Sequence, residues 1–315
     1  MFRILHSSYK KTNNIYTSIV GDQIQENVLN NTSSELNKSN WSIIRLLHLI
    51  SDLFFIKLPI HCPSWIPYPI KKIFFGENSK YLPSKKEYED GICIIYLNGI
   101  LSNDKVVELN RKKLNNIFNR PINVLHNVTD SLICDLIECL IGKTTDDLTE
   151  ASTVTLYTLC NKLLNPEIKK IIFVCHSQGT IIISNVLKNL NKLGLDKEIY
   201  LKKIEIYAFA NCSSKMNYII DELPYMEHFA NSNDFVACLG CNCSEEIKDI
   251  ISIDGKIFIK EKSGHMFNSH YIDNFVEDYP DSKLNIYIKK IKYYEDEDEE
   301  KENADSDDNT DYKFN

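Results

Sequence analysis

The sequence predicts an α/β fold, a doubly wound and mostly parallel sheet flanked by helices. Apolar runs of strand length alternate with segments of helical periodicity between residues 90 and 293. One of these runs breaks at a serine with small neighbours and resumes as a helix, and single titratable residues follow two later runs. This pattern is typical of an enzyme whose reactive groups lie beyond the carboxyl ends of parallel strands.

The first strand is predicted over 90–97, where a continuous apolar and β-branched run indicates burial on both faces. It ends in Asn98-Gly99-Ile100, a loop that contains a glycine. A second strand is predicted over 122–127, and helices are predicted over 132–141 and 151–164. These helices precede the next strand, as a crossover connection requires.

The segment 171–183 has the layout of a nucleophile elbow, a strand that turns sharply into a helix at Ser177. Such a turn lifts a serine Oγ above the sheet edge, where a base can activate it. The residues two before and two after the serine have to be small. Gly179 satisfies this requirement fully, whereas Cys175 satisfies it in part. His176 precedes the serine and is expected to point away, into packing or a backbone hydrogen bond.

Three further strands are predicted over 203–210, 225–231 and 256–260. Asp234 follows the second of these, and His265 follows the third. Asp221 and Asp254 are alternative acids, since an aspartate after a strand is often a turn former. His270 is an alternative base, but the helical spacing of 271–276 puts it in or near a first turn and leaves His265 on the loop.

Acyl transfer also requires backbone N–H groups that stabilise an oxyanion, one from the residue after the nucleophile and one from a glycine-containing loop. Gln178 fits the first position. Ile100, next to Gly99, fits the second.

These residues resemble an α/β-hydrolase, and more narrowly its lipase or serine-esterase branch. The resemblance covers about residues 90–290 and is carried by four motifs: Leu97-Asn98-Gly99, His176-Ser177-Gln178-Gly179, Asn233-Asp234-Phe235-Val236 and Gly264-His265. It implies an eight-stranded, mostly parallel sheet and cleavage of an ester, thioester or amide through an acyl-enzyme. Asn98 replaces the histidine of many lipases and Cys175 replaces the first elbow glycine, which puts substrate preference in question.

The sequence therefore predicts a serine hydrolase that cleaves carboxylic esters, either lipid-derived or small acyl esters, without a cofactor. Ser177 is the expected nucleophile, His265 the base and Asp234 the residue that orients the imidazole. The alternatives are a thioesterase or amidase of the same fold, or a catalytically inactive binding protein.

The first 89 residues divide into a polar segment over 1–40 and an apolar helix with a proline-rich connector over 41–89. Residues 1–40 lack the pattern of a secretory signal, so a cytoplasmic location is expected. In 41–58 the polar residues recur at helical spacing, which favours a helix that covers the core over a membrane span. The alternative is an interfacial helix in peripheral contact with lipid.

The segment 294–315 is predicted to be a disordered acidic tail. From Glu295 onward it holds eleven acidic and two basic residues, a net of −9, so the remainder of a chain with formal charge −8 carries about +1. No basic stripe suggests nucleic-acid binding.

Most of the ten cysteines lie in apolar runs and are expected to act as small core residues. Cys238, Cys241 and Cys243 are the exception, because three thiols this close can bind Zn²⁺ with a fourth ligand. No second pair of ligands is visible in the sequence, so a structural metal is the weaker interpretation.

Overall fold

The computed structural model describes residues 11–12, 15–21, 34–35, 79–84, 90–99, 102–128, 149–193, 196, 200–216 and 224–288. Several sequence predictions lie outside these residues. They are the helix over 41–58 with most of its connector, the helix over 132–141, the acidic tail, Ile100 and Asp221.

Seven strands form one sheet within the described residues, in the order β1-β3-β2-β4-β5-β6-β7. Their bounds are Lys80–Leu82 (β1), Ile92–Leu97 (β2), Asn123–His126 (β3), Lys170–His176 (β4), Ile204–Phe209 (β5), Tyr225–Asn231 (β6) and Lys256–Lys260 (β7). β1 is antiparallel to β3, and every other pairing is parallel. The sheet confirms the predicted α/β class, with seven strands in view where the resemblance implied eight.

The described helices connect or cover these strands. They are α1 (Ile15–Val20), α2 (Asp104–Phe118), α3 (Glu150–Leu164), α4 (Gln178–Lys192) and α5 (Phe275–Asp278), with 3₁₀ turns at Leu201–Lys203, Ala237–Leu239 and Glu245–Ile250 and a π-helix at Phe267–Ile272. No helix among the described ranges combines the length and hydrophobicity needed to cross a membrane.

Alternating side chains of β2 belong to two separate cores, one on each face of the sheet. Cys93, Ile95 and Leu97 pack with residues of α3 and α4. Ile94 and Tyr96 pack with residues of α2 and of 267–288. Helices therefore cover both faces, as expected of a doubly wound sheet.

The parallel strands bring their carboxyl ends to one edge of the sheet. β4 ends next to Ser177, β6 ends three residues before Asp234, and β7 ends five residues before His265. The loops that follow β4, β6 and β7 are therefore neighbours in space although they are far apart in sequence. This edge is the place to look for a site.

Candidate active site

Ser177 lies at the turn between β4 and α4 in a strained conformation, with φ 55° and ψ −124°. A residue with a side chain rarely adopts a positive φ, and such strain costs about 1–3 kcal/mol. Two hydrogen bonds hold the turn. The Ser177 N–H donates to the Phe209 carbonyl at 3.0 Å, and Thr180 Oγ1 donates to the Ser177 carbonyl at 2.7 Å.

Two glycines permit the backbone to approach this turn. A Cβ added to Gly179 would lie 2.5 Å from the Leu97 carbonyl oxygen, so the start of α4 packs directly on the end of β2. A Cβ added to Gly99 would lie 2.5 Å from the Cβ of Ser177 and 3.1 Å from its Oγ. The loop after β2 therefore runs against the serine side chain itself.

Ser177, His265 and Asp234 form one chain of hydrogen bonds. The Ser177 Oγ–H donates to His265 Nε2 at 3.0 Å, and His265 Nδ1–H donates to Asp234 Oδ2 at 2.9 Å. The structure thus brings together the three residues that the sequence singled out. An imidazole between a hydroxyl and a carboxylate can take up the hydroxyl proton while the carboxylate fixes its tautomer.

The Asp234 carboxylate is completely buried and has further donors. Oδ1 accepts from the Val236 N–H at 2.8 Å, and Oδ2 accepts from the Tyr271 hydroxyl at 2.6 Å. Tyr271 in turn accepts from the Asn231 N–H at 3.1 Å. Sequence reasoning missed Tyr271, because an apolar helical pattern gives no sign that a hydroxyl faces the acid.

Backbone hydrogen bonds between the loops after β6 and β7 explain why Asp234 and His265 meet. The Ser232 N–H donates to the Lys260 carbonyl at 2.7 Å, and the Asn233 N–H donates to the Lys262 carbonyl at 3.1 Å. Asn231 Nδ2 donates to the Gly264 carbonyl at 2.9 Å. The pairing of β6 with β7 thus continues past both strand ends as far as the acid and the base.

His176 packs against the base, in agreement with the role expected for it. Its Nε2–H donates to the His265 carbonyl at 2.9 Å, and the centroids of the two rings are 4.7 Å apart. Burial, together with the charge of His265, lowers the pKa of His176 well below its usual range, so this ring stays neutral.

The pKa of His265 shifts in the opposite direction. Burial alone would lower it, but the charge and the hydrogen bond of Asp234 outweigh burial and raise the pKa above the ordinary value. An imidazole with a raised pKa is a stronger proton acceptor.

The alternative acid and base have other contacts. His270 Nδ1 accepts from the Met266 N–H at 2.9 Å, and its ring occupies the space that a Cβ on Gly264 would need, at 2.5 Å. Gly264 has φ 102°, a conformation that favours glycine. Asp254 offers its backbone carbonyl to His228 Nε2 at 2.7 Å. Among the described residues, the imidazole bonded to Ser177 is therefore that of His265.

The oxyanion positions are visible in part. Gln178 is the first residue of α4, where backbone N–H groups have no intrahelical acceptor. Its side-chain Oε1 accepts from Asn127 Nδ2 at 2.5 Å. Asn98 Nδ2 donates to the carbonyls of Gly99 and Asn127, both at 2.8 Å. The asparagine that departs from the lipase pattern thus ties the ends of β2 and β3 together beside the serine.

In the part of the chain that the structure describes, no group of three or more His, Cys, Asp or Glu side chains, Cys238, Cys241 and Cys243 included, is arranged to hold a metal ion. Burial raises the pKa of Cys238 to about 12, and it also raises the pKa values of Cys241 and Cys243. These thiols are therefore protonated at neutral pH.

The Ser177 residue is only 2 % exposed and the His265 side chain 12 %. The close approach of Gly99 accounts for part of the burial of Ser177.

No protein-family model matches this chain, and no curated protein sequence matches it. Among solved structures, an arylesterase aligns with this chain at 12 % sequence identity and a TM-score of 0.34. The alignment covers 82 % of this chain and 88 % of the arylesterase chain. A likeness this weak carries no argument about the fold or activity of the chain.

Proposed function

We propose that this chain is a serine hydrolase of the α/β-hydrolase type that cleaves carboxylic esters through an acyl-enzyme. The observation that carries the proposal is the continuous hydrogen-bond chain from Ser177 Oγ through His265 to Asp234. Its setting adds support, because a strained serine at a strand-to-helix turn and the chain order Ser, Asp, His are typical of this class.

In the proposed reaction His265 Nε2 takes the proton of Ser177 as Oγ attacks the substrate carbonyl carbon. The Gln178 N–H, with Ile100 or Gly99 of the loop after β2, stabilises the oxyanion. The imidazolium, held by Asp234, then returns the proton to the leaving alcohol. Water enters and releases the acyl group by the same sequence of steps.

The proposed substrates are lipid-derived or small acyl esters, and thioesters or amides are alternatives for the same chemistry. A panel of p-nitrophenyl esters of increasing acyl length, with a matched thioester and anilide, distinguishes these classes by their kcat/KM. Ester hydrolysis with a clear optimum of chain length is the expected result, and cleavage of the anilide alone would contradict it.

One observation favours a second candidate, a binding protein without catalysis. Ser177 is only 2 % exposed, which is also what a purely structural hydrogen-bond network would show. Under this reading the hydrogen-bond chain is a buried polar network that stabilises the loops.

A fluorophosphonate probe decides between the two, because it reacts only with an activated serine. We expect stoichiometric labelling of the intact protein that is abolished in Ser177→Ala. The matched control is Ser184→Ala, which removes a second serine hydroxyl from the same strand-turn-helix unit, one that donates to the Lys215 carbonyl. Well-folded protein that is never labelled would contradict the hydrolase and favour the binding protein.

A further inference from the structure

Residues from the N-terminal part of the chain contact the loop that presents His265. The His265 N–H donates to the Ile19 carbonyl in α1 at 2.9 Å. A Cβ added to Gly21, which has φ 93°, would lie 3.0 Å from His270 Nε2. Lys11 Nζ donates to the Asn242 carbonyl at 2.7 Å and to its Oδ1 at 2.8 Å. Ile19 and Gly21 thus join the N-terminal part of the chain to the loop that presents His265, and Lys11 joins it to the segment that follows Asp234.

Glu35 makes the densest of these contacts. Its Oε1 accepts from the Asn268 N–H at 2.7 Å, and its Oε2 accepts from Ser269 Oγ at 2.9 Å and from the Ser269 N–H at 3.3 Å. The residue is 5 % exposed. Glu35 therefore satisfies N–H groups in the first turn of the π-helix Phe267–Ile272, which begins two residues after His265.

We propose that Glu35 is a positioning residue for the base. Together with the Ile19 carbonyl it forms an N-terminal clamp, defined here as Ile19 and Glu35, which contacts the His265 loop at two points. The clamp fixes the loop at His265 itself and again at 268–269. This inference rests on the proposed function, because it assigns a residue to the same site.

Electrostatics support the assignment. The groups that act on His265 are Asp234 after β6, His176 at the end of β4, the Cys212 thiol after β5 and Glu35. Asp234 dominates, and the charge of Glu35 raises the pKa of His265 in the same direction. Burial raises the pKa of Glu35, and its hydrogen-bond donors oppose that effect.

The test compares Glu35→Gln with Glu227→Gln in the full-length chain. Glutamine keeps the shape but has one acceptor oxygen, so its NH₂ group meets the N–H of Ser269. Glu227 is a matched control, because it is also buried and accepts from a serine hydroxyl, Ser282, and from a backbone N–H, that of Lys283. It also accepts from the Tyr225 hydroxyl at the start of β6, so its partners lie at the amino end of β6 and after α5 rather than in the loops around Ser177.

Three readouts separate positioning from stability. We expect Glu35→Gln to lower the rate of fluorophosphonate labelling about 10- to 100-fold, because a small misplacement of the base is costly. The pH midpoint of labelling should fall, because the interaction with Glu35 that raises the pKa of His265 is lost. The downfield proton resonance of His265 Nδ1–H should shift. Glu227→Gln should leave the rate of its folded fraction within about twofold of wild type, with the same midpoint.

Equal losses in the two variants, or a Glu35→Gln protein with wild-type rate and midpoint, would overturn the inference. If Glu35→Gln does not fold, Ser269→Ala is the second variant, since it removes one donor to Glu35. Ser269→Ala should lower the labelling rate a few-fold and lower the midpoint. An unchanged rate and midpoint in Ser269→Ala would also overturn the inference. A wild-type protein that is not labelled overturns the proposed function instead. The resonance of His265 then still reports whether Glu35 positions the ring.

Discussion

At the scale of single residues, the feature that most constrains this site is the absence of a side chain at Gly99. Its Cα lies so close to Ser177 that a Cβ would come within 2.5 Å of the serine Cβ. The serine cannot yield easily, because its backbone is already strained and is hydrogen-bonded on both sides. Any added atom therefore displaces the hydroxyl from the imidazole.

We predict that Gly99→Ala lowers the rate of fluorophosphonate labelling about 100-fold while the protein remains folded. The control is Gly91→Ala at the amino end of β2, where a Cβ would lie 2.7 Å from the Glu167 carbonyl. That variant should lose stability but should label at the wild-type rate. A Gly99→Ala protein with a normal labelling rate would show that the loop after β2 is free to withdraw from the serine.

The pH dependence of labelling follows from His265. The ring must be neutral to accept the serine proton, and Asp234 raises its pKa despite burial. Labelling should therefore fall as the pH decreases through a midpoint above about 6.5, the ordinary value for histidine. Asp234→Asn should lower this midpoint and reduce the maximal rate, because the amide lacks the charge. The profile of labelling rate against pH measures both, and a midpoint below the ordinary value would contradict the assignment of the base.

The sequence contains enough information to nominate Ser177, Asp234 and His265, because each follows a recognisable apolar strand. Tyr271, Asn127 and Glu35 could not be found in this way. Each contributes through a hydrogen bond to a residue that is remote in sequence, such as the 2.7 Å bond between Glu35 and the Asn268 N–H. Such contacts depend on the tertiary structure, and no local sequence pattern indicates them.

At the scale of elements, a buried ionic cluster joins β5 to the segment after α5 at the amino end of the sheet. Glu205 accepts from Lys170 at 2.8 Å, from Lys283 at 2.7 Å, and from the hydroxyls of Tyr207 and Tyr287 at 2.8 and 2.7 Å. Burial opposes the charge, but these four donors outweigh it and lower the pKa of Glu205 to about 2. The cluster therefore stabilises the fold only while the carboxylate is ionised.

We predict that Glu205→Gln reduces the free energy of unfolding at pH 7 by about 2–4 kcal/mol, because the donors lose their charged acceptor. Since the folded pKa is depressed, this contribution is present above about pH 4.5 and is lost as the pH falls toward about 2. Urea unfolding at several pH values should show the two proteins converging in acid. Glu245→Gln, in an exposed pair with Lys248, should have no measurable effect. A constant difference at all pH values would contradict this account.

Six of the seven described strands were predictable from apolar or alternating runs, among them β7 at one edge, whereas β1 at the other edge and the irregular turns were not. β1 has three residues, Lys80–Leu82, all partly exposed and without an apolar pattern. β2 begins at Ile92 rather than at Asp90, since Gly91 adopts φ 75°. The residues after His265 have helical spacing in the sequence, but the structure shows a π-helix followed by α5. Hydrophobic periodicity does not distinguish a π-helix from an α-helix.

At the scale of the whole molecule, buried neutral histidines make the stability of the fold depend on pH in the acidic range. His228 on β6 is completely buried and neutral, with Nδ1 accepting from Asn211 Nδ2 at 2.9 Å and Nε2–H donating to the Asp254 carbonyl at 2.7 Å. Burial lowers its pKa from 6.5 to about 4. His176 shifts in the same direction, whereas His265 shifts in the opposite direction.

Unfolded protein therefore binds more protons than folded protein at His228 between pH 6.5 and about 4. The stability from this residue is complete above pH 6.5 and is lost as the pH falls, by about 3 kcal/mol over that range. We predict that the free energy of unfolding in urea declines across this window in the wild type. His228→Gln should be less stable at pH 7 but should decline less steeply, because glutamine does not titrate. The raised pKa of His265 acts in the opposite direction, because its contribution to stability is lost as the pH rises. It does not cancel the combined effect of His176 and His228, whose pKa values are both lowered. Parallel slopes in the two proteins would mean that His228 binds as many protons in the folded as in the unfolded state. Its burial and its hydrogen bonds to two uncharged groups argue against that outcome.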